Sequence, residues 1–243
     1  MLHHFTFWVQ SYEEVKNYEL IIKKNYNGGS KLFIFHFSLF TFLYIFAIRN
    51  PKIKNNMAKV YVFLADGFED IEALIPIDVL RRGGVDVITV STTEDIIVES
   101  AHGVGIRADL MFTACDFSDA DMLMLPGGMP GASNLFEHEG VCQALKLQAA
   151  AGKKIAAICA SPAVVLSQLG LLDGKKATCY PGFEKMLETA DYTGELVTVD
   201  GNITTGEGPA AAFPYAYTIL ADLTDQAIAD QIAEGMRFKH LMA

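Results

Sequence analysis

Cysteine and tryptophan are scarce in this 243-residue chain: there is one tryptophan, and the four cysteines, at 115, 142, 159 and 179, form no C-x-x-C pair. That spacing excludes the disulfide framework of a small secreted fold and fits a reduced, cytoplasmic setting. With only six histidines, and none at ligand spacing from the cysteines, no metal and no cofactor are expected. Basic residues are outnumbered, 19 Lys plus Arg against 29 Asp plus Glu, so the chain lacks the basic patch that nucleic-acid binding requires. The glycine-rich stretch from Leu125 to Gly131 lacks the G-K-[ST] ending of a phosphate loop. No internal repeat or low-complexity linker is present.

Long apolar runs are also scarce, and the one that stands out lies in a segment unlike the rest. Residues 1–56 carry seven Lys plus Arg against three Asp plus Glu, a net of +4, whereas residues 57–243 carry 12 against 26, a net of −14. Half of the aromatic residues, 13 of 26, fall in that first segment. A boundary at Met57 follows, with an extension over 1–56 and an α/β domain over 57–243. Within the extension, LFIFHFSLFTFLYIFAI from Leu32 to Ile48 is 17 residues long and flanked by Lys31 and Arg49, at the lower limit for spanning a bilayer. The absence of a small-residue cleavage site argues against a cleaved secretory signal. Three readings remain: a signal anchor, an appended helix, or translated sequence upstream of a start at Met57. The last is favoured because a strand opens directly behind Met57-Ala58-Lys59, and membrane association is expected only if the segment is genuine.

From Met57 onward, strand and helix patterns alternate. Strands are predicted near 59–65, 85–91, 121–125, 154–159 and 176–179, and helices near 69–82, 138–151, 161–169, 210–221 and 225–238. Hairpins are predicted over 96–108, at a sheet edge, and over 196–205, around Asp200-Gly201-Asn202. Alternation of this kind implies a single doubly wound α/β sandwich whose central sheet is mostly parallel and covered on both faces.

Three stretches carry chemistry. In KKIAAICASP, Lys153 to Pro162, a buried apolar strand delivers Cys159 into a sharp turn at its carboxyl end, where open α/β sheets place their ligand crevices. Ser161 and Pro162 then supply an N-cap and a first-turn proline. A thiol just ahead of a helix start is expected to favour the thiolate, although a buried core cysteine has the same look. The strand 59–65 ends at Asp66-Gly67, and the next helix opens with Glu69, Asp70 and Glu72, any of which could simply complement the helix dipole. The loop Leu125-Pro126-Gly127-Gly128-Met129-Pro130-Gly131 leaves backbone amides bare, which suits an oxyanion.

Together, GFEDIEALIPIDVLRRGG, LPGGMPGASNL and AAICASPAVVL, in this order and spacing, resemble the ThiJ/PfpI superfamily. The resemblance runs from Met57 to about Leu223 and is strongest to its DJ-one branch, that of the Parkinson-disease deglycase and glyoxalase. It implies a flavodoxin-like fold, also described as class I glutamine amidotransferase-like, and a homodimer. By the same resemblance Cys159 matches the nucleophile and Glu72 the acid that hydrogen-bonds the thiolate, and Gly128 and Ala160 match the oxyanion amides. Gly127, Tyr180, His102 and Glu207 fall in the expected substrate pocket.

Two departures bear on activity. Tyr180, in Thr178-Cys179-Tyr180-Pro181, stands where glyoxalase and deglycase members carry a histidine, and Glu207 stands where the branch has an arginine, which disfavours anionic substrates. Ala160 follows the cysteine where the peptidase branch has a histidine, so a Cys-His dyad is missing and peptidase activity is disfavoured. His102 is the remaining candidate base, while His138, beside Glu137 and Glu139, reads as a solvated helix-start residue. The leading expectation is a cysteine-dependent glyoxalase III or deglycase acting on a small dicarbonyl such as methylglyoxal, or on its adducts, through a hemithioacetal. The alternatives are a redox-sensing or chaperone-like stress protein using the same oxidisable thiol, and an inert member whose dimer surface matters more.

Overall fold

The computed structural model describes the backbone of residues 6–11, 17–26 and 29–38 and the chain from 57 to 241. Contacts divide the chain into two units, Met1–Asn56 and Met57–Ala243. In the first, β1 (Thr6–Ser11), β2 (Asn17–Tyr26) and β3 (Gly29–Ser38) form an antiparallel sheet in that order. The apolar run that begins at Leu32 therefore enters the structure as a strand, not a helix, as far as Ser38. Residues 39–48 of that run lie outside the described residues. Among the described residues no helix is long and apolar enough to cross a membrane.

The second unit begins with β4 (Lys59–Leu64), α1 (Asp70–Arg82), β5 (Asp86–Ser91), the short pair β6 (Ile97–Glu99) and β7 (Gly105–Arg107), and β8 (Leu110–Met111). Next come β9 (Met122–Leu125), α2 (Gly131–Glu137), α3 (Glu139–Ala150), β10 (Lys154–Ile158) and a π-helical turn over Pro162–Ser167. The remainder is β11 (Lys176–Ala177), β12 (Asp191–Tyr192), β13 (Val197–Asp200), β14 (Ile203–Gly206), α4 (Ala212–Leu223), α5 (Gln226–Gly235) and α6 (Phe238–Leu241). The central sheet has seven strands in the order β13-β14-β10-β9-β4-β5-β8. Only the β13–β14 pairing is antiparallel.

This order explains the burial. The inner strands are apolar runs without alternation, KVYVFL in β4 and MLML in β9, because helices cover both faces of a parallel sheet. The chain leaves β4 for β5 on one side and β9 for β10 on the other. With right-handed crossovers, this reversal sends α1 to one face and α2 and α3 to the opposite face. The point of reversal lies between β4 and β9, and the carboxyl ends of those strands and of β10 frame the crevice. On the first face α1 and α4 run side by side, so closely that a side chain at Gly83, just past α1, would collide with Leu220 of α4.

Three elements differ from the sequence reading. The strand expected over 176–179 shrinks to β11 and pairs with β12, outside the central sheet. The Thr178 amide donates to the Thr205 hydroxyl at 3.0 Å and the Tyr180 amide to the Cys159 carbonyl at 2.9 Å, so this segment folds over the end of the sheet instead of extending it. The 96–108 hairpin forms as β6 and β7 in a two-stranded sheet of its own, with β8 taking the edge position. Helix α2, unpredicted, follows directly from the glycine-rich loop.

Candidate active site

Cys159 directly follows β10, and its backbone is in the left-handed region at φ 66°. For a residue with a Cβ this conformation costs about 1–2 kcal/mol, so the surroundings must hold it. They do so from both sides: the Cys159 amide donates to the Gly206 carbonyl at the end of β14, and its carbonyl accepts from Tyr180, both at 2.9 Å. The cysteine is buried, 8 % exposed. Ser161 differs from expectation, since its hydroxyl caps no helix and donates instead to the Pro126 carbonyl. It thereby ties the turn after β10 to the loop after β9.

Glu72 lies in the first turn of α1 and is fully buried. Glu69 is the N-cap of that helix, its Oε2 accepting from the Glu72 amide at 2.8 Å, which accounts for one of the three acids at this helix start. Glu72 Oε2 accepts from the Gly127 amide at 3.0 Å. Gly127 is where carboxyl and thiol converge: a Cβ there would lie 2.6 Å from both Cys159 Cβ and Glu72 Oε2. Gly128, at φ 89°, has no room for a Cβ against the Glu69 amide and the Gly67 carbonyl, and its own N–H hydrogen-bonds the sulfur. The Ala160 amide reaches the sulfur as well.

The electrostatics follow from this geometry. Burial raises the Glu72 carboxyl to about 7, with the Glu69 charge adding to the rise and the Cys159 thiol and Gly127 amide partly offsetting it. The sequence expectation of a thiol pushed down by a helix start is corrected. Burial pushes Cys159 up, and ionised Glu72 pushes it further, against the Gly128 and Ala160 amides. The two groups share protons and titrate as a unit. While Glu72 is ionised the thiol keeps its proton; once Glu72 is protonated, the same contact becomes a hydrogen bond donated to sulfur, which favours the thiolate. Burial also pushes up the other three thiols, Cys179 to about 12, and no amide pair faces them.

The remaining predicted residues are placed as follows. Tyr180 is 45 % exposed, and its ring packs against Gly208, whose own Cβ position lies 4.0 Å from Glu72 Oε1. Glu207, between Gly206 and Gly208, is half-buried, and its charge acts on Tyr192. His102 is exposed, its Nδ1 held 2.6 Å from Asp70 Oδ2, while Asp70 Oδ1 accepts from Ser100. The Asp70 carboxylate raises the His102 imidazole. Glu69, Asp70 and His102 thus cluster at the start of α1, and His102 is engaged there, not at the sulfur. His138 is the N-cap of α3, accepting from the Val141 amide at 3.1 Å. Sequence reasoning missed Tyr215, fully buried in the first turn of α4, because an aromatic in an apolar helix reads as ordinary core.

This arrangement presents a sulfur nucleophile, two amides beside it and a carboxyl able to carry a proton at neutral pH, which suits addition to a carbonyl. A sequence profile described as the DJ-1/PfpI family matches residues 58–222. A DJ-1 homolog B from Arabidopsis thaliana is 38% identical over 172 residues, 70% of this chain and 39% of that protein. The chain spans less than half the length of this relative and of a second one from the same plant. A protein named deglycase from Pyrococcus abyssi is 30% identical over 159 residues, 65% of this chain and 94% of its own length. Among solved structures, a DJ-1 superfamily protein from Salmonella typhimurium aligns with a TM-score of 0.72 at 35% identity, over 74% of this chain and 98% of the other. Such neighbours have the flavodoxin-like fold, and so does this chain.

Proposed function

Because the chain belongs to the DJ-1/PfpI family, we propose that it is a cofactor-independent glyoxalase III or deglycase, using Cys159 on methylglyoxal or its amine adducts. The observation that carries this is the convergence of Glu72, the Gly128 amide and the Ala160 amide on one strained, buried cysteine. In the first step the Cys159 thiolate forms a C–S bond with the aldehyde carbon, and the carbonyl π pair moves to oxygen. The Gly128 and Ala160 amides hold that oxygen, and Glu72 gives it a proton, leaving a hemithioacetal and a carboxylate. Glu72 then removes the proton from the carbon bearing sulfur, and a proton returned to the neighbouring carbon yields the thioester of a hydroxy acid. Water hydrolyses the thioester, releasing lactate and the thiol with no net oxidation or reduction.

Glu69 places negative charge against Glu72, and Glu207 follows Gly206, whose carbonyl holds the Cys159 amide; both support neutral over anionic carbonyl substrates. A homodimer is proposed on the family's pattern. Purified protein should convert methylglyoxal to lactate, and Cys159→Ala should abolish it; equal turnover by both would refute the proposal. Tyr180 supplies no imidazole, so turnover should be slow, and Tyr180→His should raise it. A rate unchanged in Tyr180→His would mean that another group already serves as the base.

The absence of an imidazole at 180 also favours a second reading, in which Cys159 is an oxidisable sensor. Sulfinate at Cys159 after mild peroxide, detected by intact mass as two added oxygen atoms, in a protein without turnover would support this reading.

A further inference from the structure

Among the described residues, three buried side-chain atoms have no hydrogen-bond partner: Glu72 Oε1, Thr178 Oγ1 and the Tyr215 hydroxyl. Buried polar groups are nearly always paired, directly or through an ordered water. The packing of α1 on α4 sets the first and third of these close together. The end of α1 meets Leu220 late in α4, and Asp78 and Arg82 act on Tyr217. The helices therefore run in the same direction, with the start of α1 beside the segment that leads into α4, and the Glu72 charge reaches Tyr215 in the first turn of α4. Both residues also border one short stretch of backbone. A Cβ on Gly206, whose carbonyl holds the Cys159 amide, would lie 3.0 Å from Tyr215 Cδ2, and one on Gly208 would lie 4.0 Å from Glu72 Oε1.

We propose that Tyr215 is a positioning residue for the Glu72–Cys159 pair, its hydroxyl donating toward Glu72 Oε1 through one bridging water and so setting how firmly that carboxyl holds its proton. A phenol buried near a carboxylate remains protonated and, toward that carboxylate, serves as the donor, and burial together with the Glu72 charge acts on Tyr215 in that sense. The other groups acting on Glu72 are Cys159 from the turn after β10, Glu69 from its own helix and the Gly127 amide from the loop after β9. Tyr180 packs against Gly208. A donor from α4 offsets the burial of the carboxylate, keeping Glu72 able to release and recover its proton near neutral pH. This rests on Glu72 and Cys159 acting as a pair, not on the identity of the substrate.

The test follows the Glu72 carboxyl alone, by its carbon-13 NMR shift across a pH titration in Cys159→Ala, assigned by its loss in Cys159→Ala with Glu72→Gln. Adding Tyr215→Phe should raise the Glu72 midpoint by about half a pH unit or more, roughly threefold tighter proton binding. Replacing Tyr215 with 3-fluorotyrosine, a stronger donor of nearly the same size, should lower it, and this variant decides the matter if Tyr215→Phe folds poorly. A midpoint that moves with neither change, or in the opposite direction, overturns the proposal. Because no turnover is measured, failure here leaves the carbonyl chemistry untouched, and failure of that chemistry leaves this result standing.

Discussion

At the scale of single residues, Cys159 is set apart from the other three cysteines by what faces its sulfur, not by exposure. All four thiols are pushed up by burial, but only Cys159 has two amides and a carboxyl able to donate a proton. Iodoacetamide at pH 6 should therefore alkylate Cys159 before Cys115, Cys142 or Cys179, read by peptide mapping. Glu72→Leu should slow that labelling about tenfold, because it leaves a buried thiol with amides as its only support. Glu72 also has a signature in stability. Its carboxyl is raised from 4.5 to about 7, so the folded state binds more protons than the unfolded state between those values. The stabilisation is fully present below pH 4.5 and is lost as pH rises through 7, about 3 kcal/mol in all. Urea midpoints of the wild type should fall over that range, whereas Glu72→Gln, which has no charge to bury, should show a flatter profile.

At the scale of elements, the turn between β10 and the π-helical segment stores strain at Cys159. The left-handed backbone at Cys159 is favourable only for glycine, yet two backbone hydrogen bonds and the Ser161 tie to Pro126 enforce it. Cys159→Gly should therefore be at least as stable as Cys159→Ala, by up to about 1 kcal/mol in urea denaturation, although glycine adds freedom to the unfolded chain. An alanine variant clearly more stable than the glycine variant would mean that the turn relaxes and holds no strain. The neighbouring loop after β9 is constrained in the same way, since Gly127 has no room for a methyl group between carboxyl and thiol.

At the scale of the molecule, every described candidate site residue lies beyond Met57, and all seven described strands of the central sheet come from the second unit. We expect a chain shortened to begin at Met57 to fold and to match the full chain in thermal melting and in Cys159 labelling. Insolubility, or a much lower melting temperature, would make the first 56 residues part of the fold.

How much of this was legible in the sequence depended on the range of the interactions involved. The strands 59–65, 121–125 and 154–159, the helix at 69–82 and the turn that carries Cys159 are local patterns of apolar runs, glycine and proline, and they appear close to where the sequence places them. Parallel pairing followed from the alternation of strand and helix, and resemblance, not spacing, singled out Glu72 among three acids. Only the tertiary structure decided what those residues do to one another. The electrostatic state of the thiol is set by burial and by a carboxyl 87 positions away in sequence, so a rule based on the helix start alone gave the wrong sign. The short β11, the separate β6–β7 pair and the role of Tyr215 likewise arise from contacts between distant segments. The amino acids specify the elements because backbone propensity and periodicity act within a few residues; the proton affinity of the site belongs to the packing, because charge and desolvation act through space.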